Sequence, residues 1–132
     1  MFLQHTDTNR IVEPFLLIPV TAGESYEPGE TLYLGTAGTA TKCAGTTVPD
    51  FICQSKVESA VAGDYISATL VNAQQQLEVP LAAAGTDLKA GNKVTIGTDG
   101  LTVTATTASG TFLITEILGT AVGDKVRGYF KR

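Results

Sequence analysis

The chain of 132 residues has a single histidine, a single methionine, two cysteines and no tryptophan. Nucleophilic catalysis needs a base held beside the nucleophile. The one histidine, His5, lies in an N-terminal stretch where nothing holds it in register. Cys43 and Cys53 are too few for a disulfide scaffold and have no partners for a zinc site. No apolar run approaches the length of a membrane span. The start, Met1-Phe2-Leu3-Gln4-His5-Thr6-Asp7, lacks the basic and apolar regions of a signal peptide, so synthesis and folding in a cytoplasm are expected. Charged residues make up only 17% and net to −4, which speaks against a nucleic-acid binder with its basic face. Sparse Lys and Glu beside frequent Gly also argue against long amphipathic helices.

What is present points to strands. Apolar residues reach 43%, enough for a core, and twenty threonines and fourteen glycines accompany Val, Ile and Leu. Threonine is β-branched and suits a pleated surface. A chain of this length fits one domain and buries roughly two-thirds of its unfolded surface.

Laid against itself about sixty residues on, the sequence repeats. Leu16-Leu17-Ile18-Pro19-Val20 matches Leu77-Glu78-Val79-Pro80-Leu81, and Ala22-Gly23 matches Ala84-Gly85. Gly29, Leu32, Leu34, Gly35, Thr36 and Gly38 match Gly91, Val94, Ile96, Gly97, Thr98 and Gly100. Ala62-Gly63-Asp64-Tyr65-Ile66 matches Val122-Gly123-Asp124-Lys125-Val126, and Leu70 matches Phe130. Each copy reads as about five strands. Thr31–Leu34 and Lys93–Ile96 alternate polar and apolar. Turns that tolerate positive φ follow at Gly35–Gly38 and Gly97–Gly100. Return strands at Thr39–Cys43 and Leu101–Ala105 come next, then Phe51–Val57 and Thr111–Leu118. The last strands, Tyr65–Leu70 and Lys125–Phe130, follow Gly-Asp turns. Pro19 and Pro80 suit an edge or bulge.

The expected fold is therefore all-β, a β-sandwich or barrel of two tandem repeats packed around a common core. Residues 1–15 form an N-terminal arm and 16–132 a single β domain. Within that domain, repeat one is 16–70, the linker 71–76 and repeat two 77–130. Residues Ser67 to Leu77 could instead form a short helix or turn.

No catalytic, cofactor or metal residues emerge, and an enzyme is not expected. Asp64 and Asp124 occupy equivalent Gly-Asp turns, where a short polar side chain bonds local backbone. Cys43 aligns with Ala105 and Cys53 with Leu113, so both cysteines read as small buried hydrophobes. Glu24, Glu27 and Glu30, and the basic group Lys125, Arg127, Lys131 and Arg132, read as a solvated rim and charged edge protection. The arm ends in Ile11-Val12-Glu13-Pro14-Phe15. Extended, it spans about 50 Å, so Ile11, Val12 and Phe15 are candidate anchors on a partner through strand addition.

Three stretches, Ala62-Gly63-Asp64-Tyr65-Ile66, Leu88–Ile96 and Gly100-Leu101-Thr102-Val103-Thr104, resemble the small head-decoration, or capsid-cement, proteins of tailed phages. The final strand Lys125-Val126-Arg127-Gly128-Tyr129-Phe130 adds to the likeness, which covers roughly residues 16 to 130. The resemblance implies a structural virion protein, made in the host cytoplasm, that binds the outside of a phage capsid and stabilises the shell. Its implied partner is the major capsid protein, and it implies a homo-oligomer, a trimer being one form. A carbohydrate- or receptor-binding β-module of a fibre or adhesin is the alternative. Such a module should display exposed aromatics on one face, and tryptophan is absent.

Overall fold

A computed structural model describes residues 2–5, 16–72 and 75–131, the first four by backbone alone. Among the described residues ten strands run in chain order: β1 (Phe2–His5), β2 (Leu16–Pro19), β3 (Thr31–Leu34), β4 (Ala40–Lys42), β5 (Phe51–Cys53), β6 (Tyr65–Leu70), β7 (Gln76–Pro80), β8 (Lys93–Val94), β9 (Phe112–Ile117) and β10 (Lys125–Phe130). They form two antiparallel sheets, ordered β1-β7-β10-β9-β8 and β2-β6-β5-β3-β4. The chain is all-β, consistent with a β-sandwich, and no described residue is helical.

The first sheet is built from residues 16–70, the second from 76–130 together with β1. Leaving β1 aside, the order β7-β10-β9-β8 parallels β2-β6-β5-β3, and the registers agree. Ile18 faces Ile66 and Pro19 faces Tyr65; Val79 faces Val126 and Pro80 faces Lys125. Phe51 faces Leu70 as Phe112 faces Phe130. Loop hydrogen bonds match too. Gly23 N–H donates to Ala60 O at 2.7 Å and Gly85 N–H to Thr120 O at 2.8 Å. Gly29 N–H donates to Cys53 O at 2.8 Å, and Gly91 N–H to Ile114 O at 2.7 Å. That pair makes Cys53 the counterpart of Ile114, one residue beyond the Leu113 suggested by sequence. Gly63 and Gly123 hold φ of +92° and +87° in the paired Gly-Asp turns, a region that costs a residue with a Cβ.

Several expectations need correction. Ser67–Leu70 belongs to β6 and Gln76 already to β7, so the linker is 71–75. The return strand Leu101–Ala105 shrinks to single bridges at Val103, one with Ile96 and one with Leu81. Thr95 N–H reaches past Thr104 to Thr106 O at 3.1 Å while Thr104 N–H returns to Thr95 O at 2.9 Å, which interrupts the ladder. The N-terminus is not wholly a free arm. β1 pairs antiparallel with β7 in its own chain, Phe2 opposite Glu78 and His5 opposite Gln76. Pro19 lies on edge strand β2 as expected. Pro80 lies beyond the stretch of β7 that β1 covers, so its missing N–H costs no partner there.

Among the described residues the core is divided rather than wholly common: one cluster belongs to the first half and the other is shared. One buried cluster is drawn from the first half alone: Ile18, Tyr26, Leu32, Phe51, Cys53, Ile66 and their neighbours. The other surrounds Val79, Ile96, Phe112, Ile114 and Val126, and recruits Cys43 and Ile52 from the first half and Val71 from the linker. Phe112 and Phe130 meet edge-to-face at 5.2 Å within it. The halves join where the second hairpin lands on the first. Thr31 donates its N–H and its hydroxyl to Gly100 O, at 2.9 and 3.0 Å. Gly45 and Ile96 exchange backbone bonds of 2.8 and 2.9 Å.

Candidate interaction surface

The matched registers let equivalent faces be compared residue by residue. On the second sheet, Arg127 of β10 stands opposite Glu78 of β7 and Glu116 of β9. Its Nε donates to Glu78 Oε2 at 3.1 Å and its Nη1 to Glu116 Oε2 at 3.0 Å. Lys125 Nζ lies 3.3 Å from Glu78 Oε1. Hydrogen bonds from Arg127, then Lys125, hold the Glu78 carboxyl below its ordinary range. Exposed pairs of this kind contribute little stability, but they keep this face hydrated.

On the first sheet the same positions are uncharged. Leu17 replaces Glu78, Tyr65 replaces Lys125 and Ser67 replaces Arg127, with Leu17 paired to Ser67 and Pro19 to Tyr65. Leu17 is 69% exposed and Tyr65 61%. β2 is also an edge of its sheet. Among the described residues no strand covers its outer side, whereas β7 carries β1 there. Edge strands are usually blunted by charge. The far edges β4 and β8 each carry a lysine, Lys42 and Lys93, while β2 carries no charge at all. An uncharged open edge beside exposed apolar side chains is suited to receiving an extended strand from a partner.

The candidate anchors Ile11, Val12 and Phe15 lie outside the described residues. Phe15 directly precedes β2 in sequence. His5 sits in β1, so the reading of it as a residue of a loose arm is corrected. Asp124 accepts the N–H of Ala121 through Oδ2 at 3.0 Å, the local turn role expected of it. The leading basic residues Lys125 and Arg127 do not guard an edge, because β10 is interior to its sheet.

The acidic group divides. Glu30 is 2% exposed and meets Lys42 Nζ at 3.3 Å, so it is no part of a solvated rim. Its Oε2 has no hydrogen-bond partner among the described residues. Burial raises the Glu30 pKa, and Lys42 offsets only part of that. Cys43 and Cys53 are both buried and unpaired. Burial pushes the Cys43 thiol up to about 12 and raises that of Cys53, whose Sγ donates to Ser55 O at 3.2 Å. Neither is a poised nucleophile.

Sequence reasoning missed the Leu17–Tyr65 patch, although its signal was present: the repeat alignment sets Leu17 against Glu78 and Tyr65 against Lys125. Compared with protein-family models and with curated proteins, the chain matches neither any model nor any curated protein.

Proposed function

We propose that this chain is a structural virion protein, two tandem copies of one β-unit, that binds the outer surface of a phage capsid and stabilises the shell. The parallel strand orders, registers and loop bonds support the duplication. One observation carries the functional reading: faces at matching registers of the two sheets differ, one ionic and the other uncharged, with Leu17 and Tyr65 exposed at an open edge. A duplicated scaffold that keeps one face hydrated and the other adhesive is built for docking. The major capsid protein is the partner, and Ile11, Val12 and Phe15 extend the contact from the segment leading into β2. Many equivalent sites on a lattice let modest contacts sum to large reinforcement. The reading includes no catalytic step.

The alternative carbohydrate-binding reading is less well supported, since Tyr65 is the one strongly exposed aromatic among the described residues. The test is co-sedimentation with expanded, undecorated shells of the phage that encodes the protein. Wild type should pellet with shells and raise their melting temperature, while Leu17→Lys and Tyr65→Lys should each weaken binding. A wild type that stays in the supernatant, or that binds glycans instead, overturns the proposal.

A further inference from the structure

The contact between the halves is one-directional. The second hairpin docks on the first half, through Gly100 on Thr31 and Ile96 on Gly45. If the halves were related by a two-fold axis, the first hairpin would dock reciprocally on the second half. It does not. A Cβ built on Gly100 meets Thr31 and Cys43, whereas one built on the equivalent Gly38 meets nothing within 4 Å.

Leu34 is the counterpart of Ile96. Gly35 N–H bonds Thr39 O at 3.0 Å, as Gly97 N–H bonds Thr102 O at 2.8 Å. This pattern turns the N–H and C=O of Leu34 and of Ile96 away from their own hairpins. For Ile96 those two groups are the ones that bond Gly45. For Leu34 no described residue bonds them, and its side chain is 42% exposed. The first half thus repeats a docking element whose counterpart is in use.

We infer that the first hairpin docks head-to-tail on the second half of another copy of this chain. Its landing site is the loop Thr106–Ser109, which follows the second hairpin as Ala44–Thr47 follows the first. Thr106, Thr107, Ala108 and Ser109 are all exposed, and Lys93, at the position of Thr31, is exposed beside them. The 105–110 stretch is small and uncharged, like the Ala44–Gly45 segment that receives Ile96. The contact within the chain is the precedent for the contact between chains. A heterologous contact of this kind closes into a ring or runs on as an open chain.

The inference rests on reading the halves as copies, and not on capsid binding. Sedimentation equilibrium of the full chain tests it with two surface variants, Leu34→Glu in the donor and Thr107→Glu in the acceptor. Wild type should gain mass with concentration, and each variant should remain monomeric with an unchanged melting temperature. Mixed in equal amounts, the variants should form a dimer and nothing larger, because one intact donor meets one intact acceptor. A wild type that is monomeric up to millimolar concentration overturns the inference, as do variants that associate like wild type or a mixture that stays monomeric. Shell binding by a monomeric wild type would leave the proposed function intact and remove this inference alone.

Discussion

Thr31 gives both its backbone N–H and its hydroxyl to one acceptor, the carbonyl oxygen of Gly100, sixty-nine residues later. Thr31 is fully buried, so this double bond in the hydrogen-bonding sense is made away from water. Thr31→Val removes the hydroxyl and keeps the N–H, and should cost about 1 kcal/mol. Gly100→Ala, at φ +71°, should cost about 1–2 kcal/mol. Thermal melts should rank Gly100→Ala below Thr31→Val, and the reverse order would mean that the hydroxyl anchors the contact.

Two glycines divide by what a Cβ would strike. At Gly97 the φ is not positive, contrary to what the turn pattern suggests, and a Cβ would clash with the Thr102 hydroxyl. That hydroxyl is also bonded to Asp99 Oδ1 at 2.9 Å. Gly97→Ala should cost about 1–3 kcal/mol and be partly rescued by Thr102→Ala. A Cβ on Gly128 would strike the Leu113 carbonyl, at the register shift between Arg127 and Gly128. Backbone cannot rotate aside as a side chain can. Gly128→Ala should therefore be the more damaging change, and no neighbouring substitution should restore its melting temperature.

Glu30 sets a pH dependence of unusual sign. Its pKa is raised above 4.5 in the folded state by burial. Between that ordinary value and the folded one, the folded state binds a proton that the unfolded state does not. Stability should consequently rise as pH falls through that window. Glu78 and Asp99 have lowered values, so their stabilisation is lost only on further acidification, below about 4.5. Melts taken as pH falls from neutral towards 4.5 should show a gain in wild type that Glu30→Gln lacks. Equal slopes for the two proteins would contradict the burial argument.

Cys43 and Cys53 should be reduced and slow to react. In native buffer an alkylating reagent should label neither at a rate near that of a free thiol, and in denaturant without reductant it should label both. A mass short by two hydrogens, with no label, would reveal a disulfide.

What sequence made legible was local. Gly63-Asp64 and Gly123-Asp124 declare their turns because few other residues suit that backbone. The hairpins at Gly35 and Gly97 follow from alternation meeting glycine. The burial of Glu30 was illegible, since it depends on Lys42 arriving from the neighbouring strand β4, twelve positions on. The division of the core into two clusters was hidden for a related reason: alternation says which face is buried, not against what. The docking patch was half legible, visible in the repeat alignment but uninterpretable until register showed which positions share a face. The pairing of Phe2 with Glu78 had no local signal.

That last pairing orders events during synthesis. β1 leaves the ribosome well before its partner β7, which begins seventy-four residues behind Phe2. The first half can complete its own sheet and its own buried cluster while the earliest strand still waits. Closing so long a loop is entropically costly and slow compared with forming a hairpin. Strand β1 is thus a late latch: a chain truncated before Gln76 leaves it without its docking edge.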